Sequence, residues 1–267
     1  MTQYHFASVA SHAAPQNLAE LKHQYLNSLD APLDGMWESF VGGGKHWMIV
    51  ETAGRSEPIG YCVLNDEQKV LQFFTQDLRD GPPAFEQMCA QLAPSGAFVA
   101  TQQAAYLSYC LDHKRSLTVN TLLYREDVHP VGLSGLELRV VTEGEFEAAV
   151  EFGIAVLGCD LGWLQGYYKD HIAKQQLFGV WKDGSLIATG ECRISETQKP
   201  YADVGMMVTE KHRGQGLATD ILRSLRHMCK ARGLQAICST EVENVAAQKA
   251  ITNAGFVSEH RILEIGF

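Results

Sequence analysis

No Cys-x-x-Cys pair occurs in the sequence, and its seven cysteines (Cys62, Cys89, Cys110, Cys159, Cys192, Cys229 and Cys238) are scattered, mostly in apolar stretches. That argues against a disulfide framework and a zinc ribbon, and predicts buried free thiols in a reducing cytosol. The ten histidines show no ligand spacing, so no metal site is expected. No stretch approaches the ~18 apolar residues of a transmembrane helix. The opening MTQYHFASVASHAAPQ lacks a basic region followed by a long apolar run, so no signal peptide is expected. Positive charge is also scarce: 22 Lys and Arg stand against 31 Asp and Glu, for a net charge of -9. Such a chain has no general attraction for nucleic acid or an anionic membrane, and neither partner is expected. Two nucleotide signatures are missing. There is no Gly-Lys-Ser/Thr for a Walker loop, and no Gly-x-Gly-x-x-Gly with an acidic residue ~20 positions on for a dinucleotide fold.

What the chain does have is apolar mass. Its 267 residues, 46% hydrophobic, exceed what one ordinary domain needs, and two domains are expected. The most informative stretch is YADVGMMVTEKHRGQGLA, Tyr201 to Ala218. Ala202, Val204, Met206 and Val208 alternate with Asp203, Gly205 and Met207, which predicts a strand with each set on its own face. After a short polar loop, Leu217, Ile221, Leu225 and Cys229 recur every four residues, widened by Leu222 and Met228, and predict an amphipathic helix. Gly233 falls where a helix C-cap glycine belongs, and Arg226, Lys230 and Arg232 suit the negative end of the dipole. The positive end carries Arg213, Gly214, Gln215 and Gly216, with no carboxylate before Asp220. Glycines let the backbone approach a ligand, and the first N–H groups of a helix point outward. The junction therefore predicts a phosphate site with Arg213 as its charged partner, and Lys211 and His212 add local basicity.

The run Arg213-Gly-Gln-Gly216-Leu-Ala218 fits Arg-x-x-Gly-x-Gly/Ala, five residues after Val208. It resembles the pyrophosphate loop of the GNAT superfamily, the GCN5-related N-acetyltransferases, which bind acetyl-CoA. Downstream, in ENVAAQKAITNAGF, Asn244, Ala247, Gly255 and Phe256 keep the family pattern Asn-x-x-Ala followed by Gly-Phe. A helix N-cap is enough to explain Asn244; the resemblance adds a contact to the pantetheine arm. The resemblance covers roughly 136–267, carried by motifs from 201 to 256 and by element order elsewhere. It implies acetyl-CoA as co-substrate, no metal, and a coenzyme-binding set of Met207, Val208, Arg213, Gly214, Gln215, Gly216, Leu217, Ala218 and Asn244. One position departs. Many family members carry a Tyr seven residues after this Asn, where it can protonate the leaving thiolate, and here Ile251 stands there. Tyr167 and Tyr168 lie in a helix that in this family usually lines the acceptor site, and either could serve as the acid or be a core or surface aromatic.

Taken in order, the first half reads as helix, short helical turn, three strands, helix, strand, helix, strand. A turn-rich connector follows at 126–135, EDVHPVGLSG. The second half opens with a strand at 136–141 and a helix at 143–156, with Thr142 as N-cap. A helix at 163–174 and three strands come next, the first two joined at Lys182-Asp183-Gly184 by a hairpin turn. Then come the long helix, a strand, a helix and a last strand. The two halves share element order and no residue-level identity. The expected fold is α/β, two tandem GNAT-like domains at 1–127 and 136–267, each a mixed, mostly antiparallel sheet flanked by helices. The first half is expected to be a degenerate copy. Its strand-to-helix junction, QFFTQDLRDGPPAFEQ, lacks the loop motif; Pro82 and Pro83 remove backbone donors, and Asp80 and Glu86 repel pyrophosphate. Its expected role is to pack on the second half and wall off an acceptor pocket.

The chemistry that the resemblance implies is direct attack of an amine on the thioester. An ammonium ion has no lone pair, so a base must take its proton. Asp203 is the first candidate, with pairing inside the sheet as its competing role. Glu191 is second, sharing a strand face with Arg193, and Glu241 is third. Backbone N–H groups near Met207 and Val208 would polarise the thioester carbonyl where the sheet splays open. The expected function is transfer of acetyl from acetyl-CoA to a small-molecule amine by a cytoplasmic monomer or homodimer. A peptide or protein amine acceptor and a non-catalytic acyl-CoA-binding module are the alternatives.

Overall fold

The computed structural model describes residues 2–9, 16–52, 57–129, 132 and 134–267. The expected helix start at Pro15 and the connector residues Pro130, Val131 and Leu133 lie outside them. The chain divides into two units, Met1–Leu122 with His260–Phe267, and Leu123–Glu259.

The first unit holds β1 (Tyr4–Ser8), α1 (Gln16–Asn27), α2 (Gly35–Gly43), β2 (Lys45–Glu51), β3 (Gly60–Leu64), β4 (Lys69–Thr75), α3 (Gly81–Leu92), β5 (Gly96–Ala100), α4 (Ala104–Asp112) and β6 (Ser116–Glu126) as far as Leu122. Strands β1 to β4 pair antiparallel in sequence order, and β5 lies parallel to β4. Ile49, Cys62, Phe73, Phe85, Met88, Val99 and Tyr106 fill its core. Strand β1 is not anticipated from the sequence. It is a short edge strand with Tyr4 its one buried residue, so no alternation marks it.

The second unit holds β7 (Arg139–Val140), α5 (Phe146–Leu157), α6 (Leu161–Ala173), β8 (Leu177–Lys182), β9 (Ser185–Ile194), β10 (Tyr201–Val208), α7 (Leu217–Ala231), β11 (Gln235–Glu241), α8 (Val245–Asn253) and the start of β12 (Phe256–Gly266). The order across its sheet is β11-β10-β9-β8-β7. Only β10 and β11 in that run are parallel. Both positive φ values of the β8–β9 turn, at Asp183 and Gly184, are those a two-residue hairpin needs.

Two expectations about the second unit change. The strand expected at 136–141 shortens to Arg139–Val140. The helix expected at 143–156 begins as a 3-10 turn, Glu143–Glu145, because Thr142 and Glu145 close a capping box around it. The closing residues His260–Phe267, placed with the second domain by sequence, belong to the first unit. Ile262–Gly266 pair antiparallel with β5, and Ile265 is fully buried in that core.

Candidate active site

Helix α7 is anchored by its apolar stripe, with Ile221, Leu222, Leu225 and Cys229 all buried. It ends as the sequence predicts, with Gly233 at φ 69°, Gly233 N donating to Lys230 O and Leu234 N to Cys229 O, a Schellman closure. Gly190 of β9 lets the helix come close: a Cβ there would lie 2.8 Å from Ile221 and 3.2 Å from Leu225. At the other end Gly214 and Gly216 take φ values of 74° and 82°, with open space where a Cβ would go. Backbone conformation, rather than crowding, therefore asks for glycine. Gly216 is the N-cap of α7 and offers no side-chain acceptor to the N–H groups of the first turn. Residues Lys211 and Arg213 to Gly216 are exposed, and Leu217 and Ala218 begin the helix half-buried. Arg213 folds back so that its Nε donates to Val208 O at 3.2 Å, and Gln215 Nε2 donates to Lys211 O at 3.3 Å.

This glycine turn stands at the end of β10, where the sheet changes. Parallel pairing of β10 with β11 covers Tyr201–Asp203 against Gln235–Ile237, and β10 then runs on to Val208 and β11 to Glu241. Over 204–208, β10 pairs with β9 alone among the described residues. The predicted face assignment holds. Antiparallel register places Asp203 opposite Arg193, Gly205 opposite Glu191 and Met207 opposite Thr189, all on the side of α5 and α6. Met207 packs against the core of those two helices, and Val208 is buried.

Asp203 and Glu191, the two candidate bases, are brought together through one guanidinium. Asp203 is 2% exposed and Glu191 6%. Arg193 Nη2 donates to Asp203 Oδ2 at 2.8 Å, and Nη1 donates to Glu191 Oε2. Tyr167 on α6 closes the network. Its hydroxyl donates to Glu191 Oε2 at 2.6 Å and accepts from Arg193 Nη1 at 2.9 Å. Burial, followed by the neighbouring Glu191 charge, pushes the Tyr167 phenol well above its ordinary range, so it stays a donor. Tyr168 is buried in the α5–α6 core, and burial raises it too. The His171 ring lies 4.2 Å edge-on from Tyr167, and burial lowers its pKa. The third candidate base, Glu241, lies exposed at the end of β11.

On α8, Asn244 is the N-cap, its side chain accepting from Ala247 N at 3.0 Å. Ile251 is buried, 2% exposed, so the departure from Tyr places a core side chain there. The sequence reading passes over Trp163 and His171. The signal lay in the i, i+4, i+8 spacing of Trp163, Tyr167 and His171, which puts all three on one face of α6. Among the described residues, no group of three or more His, Cys, Asp or Glu is placed to hold a metal, and no helix is long and apolar enough to cross a membrane.

Comparison with known proteins agrees with this architecture. Residues 15–127 match the acetyltransferase (GNAT) domain family, and residues 147–256 match the acetyltransferase (GNAT) family. A solved acetyltransferase from the GNAT family of Colwellia psychrerythraea is 34% identical, with 98% of this chain and 99% of that one aligned at a TM-score of 0.90. A GCN5-related N-acetyltransferase from Sphaerobacter thermophilus shares the fold at 15% identity and a TM-score of 0.65, covering 98% of this chain and 94% of its own. A tandem GNAT protein from the clavulanic acid biosynthesis pathway does so at 14% identity and 0.65, covering 98% of each chain. The comparison with curated proteins gives no match. The chain belongs to the GNAT acetyltransferase family, with two GNAT domains in tandem.

Proposed function

We propose that the chain transfers acetyl from acetyl-CoA to the primary amine of a small molecule, using the second unit. The observation that carries this reading is the turn Arg213–Gly216, which delivers the N-terminus of α7 to the end of β10 where its pairing with β11 lapses. The pyrophosphate binds to the N–H groups of Gly214 to Ala218 with Arg213 alongside. The pantetheine runs between β10 and β11 past Asn244. The N–H groups near Met207 and Val208 polarise the thioester carbonyl.

The acceptor nitrogen attacks the thioester carbon once its proton is taken. In this reading the Asp203–Arg193–Glu191 network is the acceptor for that proton, directly or through water, and Asp203 remains the first candidate. Burial and the shared guanidinium support a fixed geometry for both carboxylates. CoA leaves as thiolate, or takes a proton through the solvent, since Ile251 cannot donate. Seven free cysteines support a reducing, cytosolic setting.

Incubation of the protein with acetyl-CoA and a panel of amines, read by free thiol release, tests the proposal. Transfer to at least one small amine is expected. Coenzyme binding without turnover on any amine or peptide would leave a coenzyme-binding module instead, and transfer confined to peptides would move the acceptor class.

A further inference from the structure

Among the described residues, the hydrogen bonds that reach the Glu191 carboxylate fall on one oxygen. Tyr167 donates to Oε2 at 2.6 Å, and Arg193 Nη1 donates to the same atom. Nη1 also donates to the Tyr167 hydroxyl at 2.9 Å, so the three groups close a triangle of bonds. Oε1 carries neither bond to Glu191 and is the oxygen of this carboxylate left to accept a proton. The two donors differ in where they stand. Arg193 lies two residues along β9, so its hold on Glu191 stays within one strand. Tyr167 comes from α6, and its bond ties the carboxylate to a second element. Bonds to an ionised partner are short and strong, which suits them to fixing a geometry. The Tyr167 ring is itself held along its helix. Trp163, one turn earlier, stacks on it with centroids 5.0 Å apart and planes at 15°. His171, one turn later, meets it edge-on at 4.2 Å and 80°. Neighbours at i-4 and i+4 that both pack on a ring restrict its swing, and with it the place of the hydroxyl.

Resting on the transferase reading, we propose that Tyr167 is a positioning residue that acts through Glu191, pinning Oε2 so that Oε1 keeps one orientation when the acceptor ammonium gives up its proton. Tyr167 is then not the acid that Ile251 fails to supply. A hydroxyl has one proton to donate, and this one is engaged by Glu191. Burial, followed by the Glu191 charge, holds that proton on the phenol.

A double-mutant cycle tests the role. Thiol release from acetyl-CoA is measured, with the best amine of a panel that includes n-butylamine, spermidine and phenethylamine, in wild type, Tyr167→Phe, Glu191→Gln and the double variant. Tyr167→Phe keeps the ring and removes only the hydroxyl, so the variant folds and binds acetyl-CoA, which thermal melts and calorimetry confirm. The expected result is a kcat about 10-fold lower in Tyr167→Phe, the size of a lost hydrogen bond to a charged group, with the KM for acetyl-CoA nearly unchanged. In the Glu191→Gln background, assayed at high enzyme concentration, the same substitution changes kcat by less than about 2-fold, because the carboxylate it acts through is gone. A merely structural role lowers kcat by the same factor in both backgrounds. That additivity, or wild-type kcat in Tyr167→Phe, overturns the positioning role while leaving the transferase reading in place. Absence of turnover with every amine in wild type overturns both.

Discussion

At the scale of single residues, two substitutions separate binding from chemistry. Gly216 sits at φ 82° in open space at the start of α7. Replacing it with Asp strains the backbone and sets a negative charge at the proposed pyrophosphate site. Calorimetry on Gly216→Asp should show acetyl-CoA binding lost in a protein that still melts cooperatively; unchanged affinity would remove this loop as the coenzyme site. Asp203→Asn addresses the proton acceptor. If Asp203 is the base, kcat falls by about 10²- to 10⁴-fold with little change in coenzyme affinity. Wild-type turnover in that variant shifts the role to Glu191, which the same guanidinium holds. The sequence made these carboxylates visible because strand period two puts Asp203, Glu191 and Arg193 on one face. It could not show that Arg193 bridges both acids, since that depends on the antiparallel register of β9 against β10. Tyr167 entered as an uncertain aromatic for a similar reason: only the packing of α6 on the sheet brings its hydroxyl to Glu191.

At the scale of elements, strongly periodic segments read well. Strands β9 and β10 and the α7 stripe follow directly from spacing, as does the Gly233 closure. Where sequence patterns are brief, local chemistry decided instead. The start of α5 turns on the Thr142–Glu145 box, in which Glu145 accepts from Thr142 N at 3.0 Å and pairs with Arg139. Arg139, and then the Thr142 backbone, hold the Glu145 carboxyl down to about 2, from an ordinary 4.5. A carboxyl held low in the folded state stabilises it above its unfolded value, and that contribution is lost as pH falls from there through the folded value. Wild type should therefore out-melt Glu145→Gln near neutrality, with the gap narrowing below about pH 5 as acid is added. A gap in melting temperature that stays constant from pH 7 to about pH 3 would mean the charge contributes nothing there. Thr142→Ala, which removes the other half of the box, should cost about 1 kcal/mol at neutral pH.

At the scale of the whole molecule, the tandem order of elements was legible and the ownership of the closing strand was not. The segment after His260 reads as a strand in any arrangement, and only its pairing with β5 assigns it to the first unit. The first unit also repeats the lapse seen in the second: parallel pairing of β4 with β5 covers Lys69–Val70 against Gly96–Ala97, and β4 continues to Thr75. The groups around that lapse differ in kind. Tyr61 of β3 and Phe74 of β4 meet Tyr25 of α1 in an aromatic cluster with ring centroids 5.9 to 6.2 Å apart. The following helix starts without a left-handed glycine. Asp80 precedes it at φ -80° and accepts from the Tyr4 hydroxyl at 2.9 Å, Pro82 and Pro83 stand in its first turn, and a Cβ at Gly81 would strike the Tyr109 hydroxyl at 2.1 Å. Two prolines remove N–H donors, and the Asp80 carboxylate puts negative charge at the start of that helix. The first unit thus lacks the left-handed glycine turn and the run of N–H donors that the second unit has at the start of α7. Titration should accordingly give one acetyl-CoA per chain, and Gly216→Asp should bring that number to none. Two equivalents, or one equivalent that persists in Gly216→Asp, would place a coenzyme in the first unit despite Pro82, Pro83 and Asp80.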